Sequence, residues 1–226
     1  MASKVLSARV PSLIDPVGEQ LKAFGSSVFR FECKIPKESS LPEIPMQDDP
    51  MNPWVLSVSA PKPAQVIQSL INVILRNHPV YECEFAESGS VDKALGAFGD
   101  PKVKAGKKPE AKKVKRPVSL ICERVNLFGN LGVSPSQISD WEIPQFAVLM
   151  AAAFHPKWVE SIDGETIPGV YLSGIRFRTR KSFGYLCMTR NPHTGVLRIR
   201  VEPEDFSSDQ IAVPVYSEAV EAKLVG

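Results

Sequence analysis

Apolar residues recur along this chain with two different periods, and the switches between them mark out its elements. Val66, Ile67, Leu70, Ile71 and Ile74 fall at helical spacing behind Pro63, which predicts a helix from Pro63 to about Asn77, closed by His78-Pro79. Asp15 as cap, Pro16 in the first turn and Gly25 at the end predict a shorter helix around Leu21 and Phe24. Residues 145–155, opened by Pro144 and ended by His155-Pro156, are apolar nearly all round and are expected as a buried helix. Ser134-Pro-Ser-Gln137 has capping-box spacing and predicts a short helix before it. Further short helices are expected over 91–98 behind Ser90 and over 218–224 behind Ser217.

Alternation marks the strands. Phe29, Phe31, Cys33 and Ile35 alternate with Arg30, Glu32 and Lys34; Trp54, Leu56 and Val58 share one face; Tyr81, Cys83 and Phe85 alternate with Glu82 and Glu84. Strand character returns over 118–128 and dominates 169–180, 183–190, 196–201 and 211–216, with Asn191-Pro-His-Thr-Gly195 as a turn. The predicted fold is α+β: mainly antiparallel sheet with helices packed on one side and a long, disordered basic loop in the middle. The expected organisation is an N-terminal α+β region over 1–99, a basic flexible linker or loop over 100–117 and a C-terminal α+β region over 118–226. A single domain with 100–117 as an inserted loop fits the same pattern.

A length of 226 residues suffices for one substantial core or two small ones, and 20 prolines argue against long uninterrupted helices. The longest apolar run, Phe146 to Phe154, is too short to cross a membrane, so no integral membrane association and no secretory leader are expected. Cys33, Cys83, Cys122 and Cys187 lie far apart, which fits buried reduced thiols and a cytoplasmic or nuclear setting. No Cys-x-x-Cys or His-x-x-x-His occurs, so neither a metal nor another cofactor is expected. Gly96-Ala-Phe-Gly99 and Gly129-Asn-Leu-Gly132 lack the spacing and lysine of a phosphate loop, and there is no Gly-x-Ser-x-Gly elbow. His78 and His155 stand at helix ends, where imidazole commonly caps carbonyls. The expectation is a non-enzymatic protein with no catalytic residues. An enzyme whose site is assembled from distant positions is the third reading.

Charge changes this picture most. Residues 102–116 hold eight basic side chains against Glu110, and residues 166–201 hold seven with no acid. Each stretch carries +7 in a chain of net charge +2, so the remainder carries −12. Segregation of that size produces a directed field. In the first stretch, Lys107, Lys108, Lys112, Lys113, Lys115 and Arg116 resemble a nuclear-import signal or an arm that neutralises phosphates, although a merely solvating linker has the same composition. In the second, Arg176, Arg178 and Arg180, followed by Lys181, alternate with Ile175, Phe177 and Thr179, and Arg198 and Arg200 alternate with Leu197, Ile199 and Val201. Each strand would therefore set an arginine row over an apolar row.

Arginine forks match phosphate, and Phe183 or Tyr185 on the intervening strand could stack on unpaired bases. Continuity of the two rows depends on register. A tight 180–183 connection sets Arg178 against Tyr185, and the rows share a face if Arg190 stands opposite Leu197. The function expected is a nucleic-acid-binding or assembly protein, nucleocapsid- or coat-like, with RNA preferred over DNA and with self-association. The alternative is an oligomeric scaffold whose arginines pair with acids of a neighbouring subunit.

Overall fold

The computed structural model describes residues 13–27, 29, 33, 52–59, 63–78, 82–84, 119–139, 142–162, 169–178, 183–191, 193–207, 209 and 211–223. The expected strand over 28–35 (apart from Phe29 and Cys33), the helix over 91–98 and the whole stretch 100–117 lie outside the described residues. So do Arg180 and Lys181.

The architecture is α+β. Among the described residues seven strands form one mainly antiparallel sheet: β1 (Trp54–Ser59), β2 (Glu82–Glu84), β3 (Ser119–Leu131), β4 (Gly169–Arg178), β5 (Phe183–Arg190), β6 (Leu197–Pro203) and β7 (Ile211–Lys223), in the order β1-β3-β7-β4-β5-β6-β2. The pairs β4·β7 and β2·β6 are parallel and the others antiparallel. The two strands contributed by residues before 100 sit at the two edges of this sheet. Residues 218–223 continue β7 as a strand and do not form the expected helix. Arg124, Cys122 and Ile121 of the long neighbour β3 stand opposite Glu218, Ala222 and Lys223, so ladder pairing overrides the local helical pattern behind Ser217.

Among the described residues four helices accompany the sheet: α1 (Val17–Gly25), α2 (Pro63–Asn77), α3 (Ala147–Phe154) and α4 (Pro156–Glu160). In α2 the apolar stripe packs inward as its spacing requires, with Val66, Ile67, Leu70, Ile71 and Ile74 all buried. In α3 every residue from Ala147 to Ala153 is buried, which is why its sequence has no polar face. Pro156 does not stop the chain from being helical. It supplies the first turn of α4, so His155 is a joint between two helices. The expected capping box at Ser134 and Gln137 is present on a short 3₁₀ turn, Pro135–Gln137.

Helix side chains and one face of the sheet make the main core, in which Leu56, Leu120, Val125, Leu172, Phe177, Leu186, Met188, Leu197 and Ile199 meet Leu70, Leu149 and Trp158. A second, smaller apolar cluster lies on the opposite face, where Tyr171, Tyr185, Cys187, Ile211 and Val213 are covered by Ile143, Ile138 and Phe206. The chain passes between these layers through a seam in the sheet. Strands β4 and β7 pair only at Gly169–Val170 with Ile211–Ala212. Beyond that point residues 142–146 run between them, with Tyr216 N–H donating to the Glu142 carbonyl (3.0 Å) and Gly174 N–H to the Pro144 carbonyl (2.9 Å). A Cβ on Gly174 would stand 2.5 Å from the Ile143 oxygen, so only glycine lets the segment through.

Two buried polar side chains tie α1 into this frame. Gln20 is 2% exposed. Its Nε2 donates to the Asp15 and Trp54 carbonyls (2.8 Å each), and its Oε1 accepts from Leu56 N–H at 2.6 Å. His155, also 2% exposed, accepts from Asp15 N–H at Nδ1 (3.3 Å), with the Asp15 carboxylate 3.4 Å away. Burial holds the His155 imidazole below its ordinary pKa of 6.5, against a smaller opposing pull from Asp15.

Candidate nucleic-acid interface

Alternation along β6 and along the end of β4, beyond an irregularity between Tyr171 and Arg176, turns the arginine positions of these two strands to the face opposite the helices. Arg190 stands opposite Leu197, so the arginines of β4 and β6 occupy one face. The β4–β5 register is displaced by one pair from a tight connection: Arg178 faces Phe183, and Arg176 faces Tyr185. An offset of two residues preserves the face, so the displacement changes the neighbours without turning the row over.

The rows share a face but not the same surroundings. On β6, Arg198 lies between Thr189 and the register position of Glu82, and Arg200 between Cys187 and that of Glu84. Arg200 Nε also approaches Glu202 Oε1 of its own strand at 2.5 Å, where the Glu202 side chain is only 12% exposed. Burial raises the Glu202 carboxyl above its ordinary pKa, and Arg200 pulls it back down. The acids in register with or next to the β6 arginines thus come from 116 residues away in sequence and from just beyond the basic stretch, where alternation gave no sign of them.

On β4, Arg176 Nε donates to Tyr185 Oη (2.9 Å) and lies 3.5 Å from Glu204, with its side chain 45% exposed. Arg178 has an aromatic residue opposite it and no acid among the described residues of the neighbouring strand. Phe183 is 45% exposed, and with Leu131 it is one of two exposed large apolar side chains among the described residues. Tyr185 is the reverse case. Its ring is fully buried in the second cluster at 6.4 Å from Tyr171, and only its hydroxyl reaches outward, to Arg176. Tyr185 therefore orients an arginine and offers no ring face to a base. Its companion on the strand, Phe183, does.

Arg190, which shares the period of the row but points to the helix side, has a structural task. It donates to the Ile162 and Val159 carbonyls at the end of α4 and to the Gly195 carbonyl in the turn. Burial disfavours the thiolate at Cys33, Cys122 and Cys187. Burial pushes Cys122 up to about 12, and raises Cys187, deep in the second cluster, further still. Among the described residues no three metal-ligating side chains come together, and no helix is long and apolar enough to cross a membrane.

Compared with protein-family models, curated proteins and solved structures, the chain gives no match. The functional reading therefore rests on the residues themselves. Lys107, Lys108, Lys112, Lys113, Lys115, Arg116, Arg180 and Lys181 lie outside the described residues. Of the remaining site residues, Arg198 and Arg200 stand in register with Glu82 and Glu84, Tyr185 is enclosed, Arg176 is bonded to Tyr185, and Arg178 pairs in register with the exposed Phe183.

Proposed function

We propose that this is a non-enzymatic nucleic-acid-binding or assembly protein that acts on single-stranded polyanions, RNA foremost. Its working surface is the β4–β5 hairpin, assisted by the lysine-rich stretch 102–116. The observation that carries the reading is the composition of that hairpin from Arg176 to Phe183: four basic residues, no acid, and an exposed aromatic at its end. Arginines supply phosphate contacts, and unpaired bases, more common in RNA, supply the faces that an exposed ring can use. The lysine stretch adds attraction without sequence preference and, over 107–116, a means of nuclear import for a protein of the cytoplasm or nucleus. The scaffold reading needs Arg198 and Arg200 available to a neighbouring subunit, whereas Arg200 already meets Glu202 of its own chain.

The test is the ultraviolet absorbance of protein purified without nuclease, repeated after a high-salt wash. Nucleic acid should co-purify and leave with salt, and replacing Lys107, Lys108, Lys112, Lys113 and Lys115 by glutamine should diminish it strongly. A protein free of nucleic acid before the wash, with no affinity for an oligonucleotide at low salt, would overturn the proposal.

A further inference from the structure

We infer that Phe183 is a base-stacking platform, and that it and the Arg178 position paired with it form one nucleotide-binding step, the ring taking the base and the basic strand beside it the adjoining phosphate. This deepens the nucleic-acid reading and rests on it.

Phe183 is exposed at the first position of a strand whose next residues on the same face, Tyr185 and Cys187, are buried. Its exposure therefore belongs to the end of the hairpin and not to a generally open sheet face. The backbone beneath it is fixed from both sides. Arg178 pairs with it in register, and its carbonyl accepts from Glu204 N–H at 3.0 Å. The next residue, Gly184, packs so closely on β6 that a Cβ would stand 2.3 Å from the Glu202 oxygen. A ring mounted on so constrained a backbone can meet a base with little ordering cost.

Charge selects the occupant. Arg176 and Arg178 are two residues apart on one strand, hence about 6.7 Å along it. That interval is comparable to the separation of successive phosphates in an extended single strand. An acidic peptide would satisfy the arginines but has no need of an aromatic face, whereas a nucleotide uses both.

The experiment is fluorescence anisotropy of a labelled oligouridylate with the full-length protein across a salt series. Phe183→Ala should weaken binding about ten-fold with an unchanged salt slope, because stacking releases no counterions. Phe183→Trp should keep or tighten binding, and Arg178→Gln should reduce the slope by about 0.7. Phe183 is exposed, so thermal midpoints should stay near that of the parent. Equal affinity of the Phe183→Ala protein and the parent would overturn the platform while leaving the nucleic-acid reading intact. So would displacement of the oligonucleotide by polyglutamate with equal effect on both proteins. Failure of the parent to bind at low salt would sink both.

Discussion

The two faces of the sheet are built on opposite terms. The helix-covered face is held mainly by apolar burial. Leu70, Leu149, Leu186, Ile199 and Trp158 exclude water, and α3 is so enclosed that even its alanines are inaccessible. The other face has a small apolar patch whose members carry polar ends. Tyr171 donates to the Phe206 carbonyl and Tyr185 accepts from Arg176, while Glu202 and Arg200 meet at the rim. Burial makes the first face stable and featureless. The second exchanges some of that stability for charge.

If that contrast is right, truncating a side chain in the helix layer should cost most. Trp158→Ala should lower stability by about 3–5 kcal/mol, read as a fall in urea midpoint with little change in slope. A loss close to that of an exposed-site variant would mean the layer is not closely packed. Next comes Gln20→Ala, which strips partners from the Trp54 carbonyl and Leu56 N–H and should cost about 2 kcal/mol by the same measure. On the second face, Tyr185→Phe keeps the ring and loses the Arg176 hydrogen bond. About 1 kcal/mol is expected, and a cost equal to that of Gln20→Ala would erase the distinction between the faces.

Acid should separate the faces by sign. Burial lowers the His155 pKa from 6.5, so the unfolded chain takes up that proton first, and stability present above 6.5 is lost as the pH falls from there toward the folded value. His78, lowered mainly by burial, acts in the same direction. Glu202 has the opposite sign. Its pKa is raised, so the folded state gains protons first and acid relieves a cost borne at neutral pH. Urea midpoints measured at about pH 7 and about pH 5 should show a smaller acid loss for His155→Gln than for the parent, and a larger one for Glu202→Gln.

Much of the frame was legible because periodicity reports burial directly. The stripe in α2 and the strand-like composition over 183–190 marked both elements at their observed limits, and the apolar run at 147–153 announced an enclosed helix. Alternation does not reveal whether the polar side of a strand is covered. Tyr185 is enclosed because Ile138 and Ile143 reach it through the seam, from a stretch whose own pattern shows only a capping box and a turn. Likewise the Glu82 and Glu84 positions meet Arg198 and Arg200 through a parallel pairing, which no local signal encodes. The register condition on Arg190 and Leu197 was readable in advance, but the acids that would share the face with the arginines were not.

Gln20 has a consequence beyond the hydrogen bonds it makes. Trp54 and Leu56 direct their backbone groups away from β3, along the outer rim of the sheet, and a rim of unsatisfied amides is a template on which another chain can add a strand. By placing its amide against the Trp54 carbonyl and the Leu56 N–H, Gln20 imitates the strand that would otherwise dock there. That single side chain occupies the place on the rim where another strand would pair.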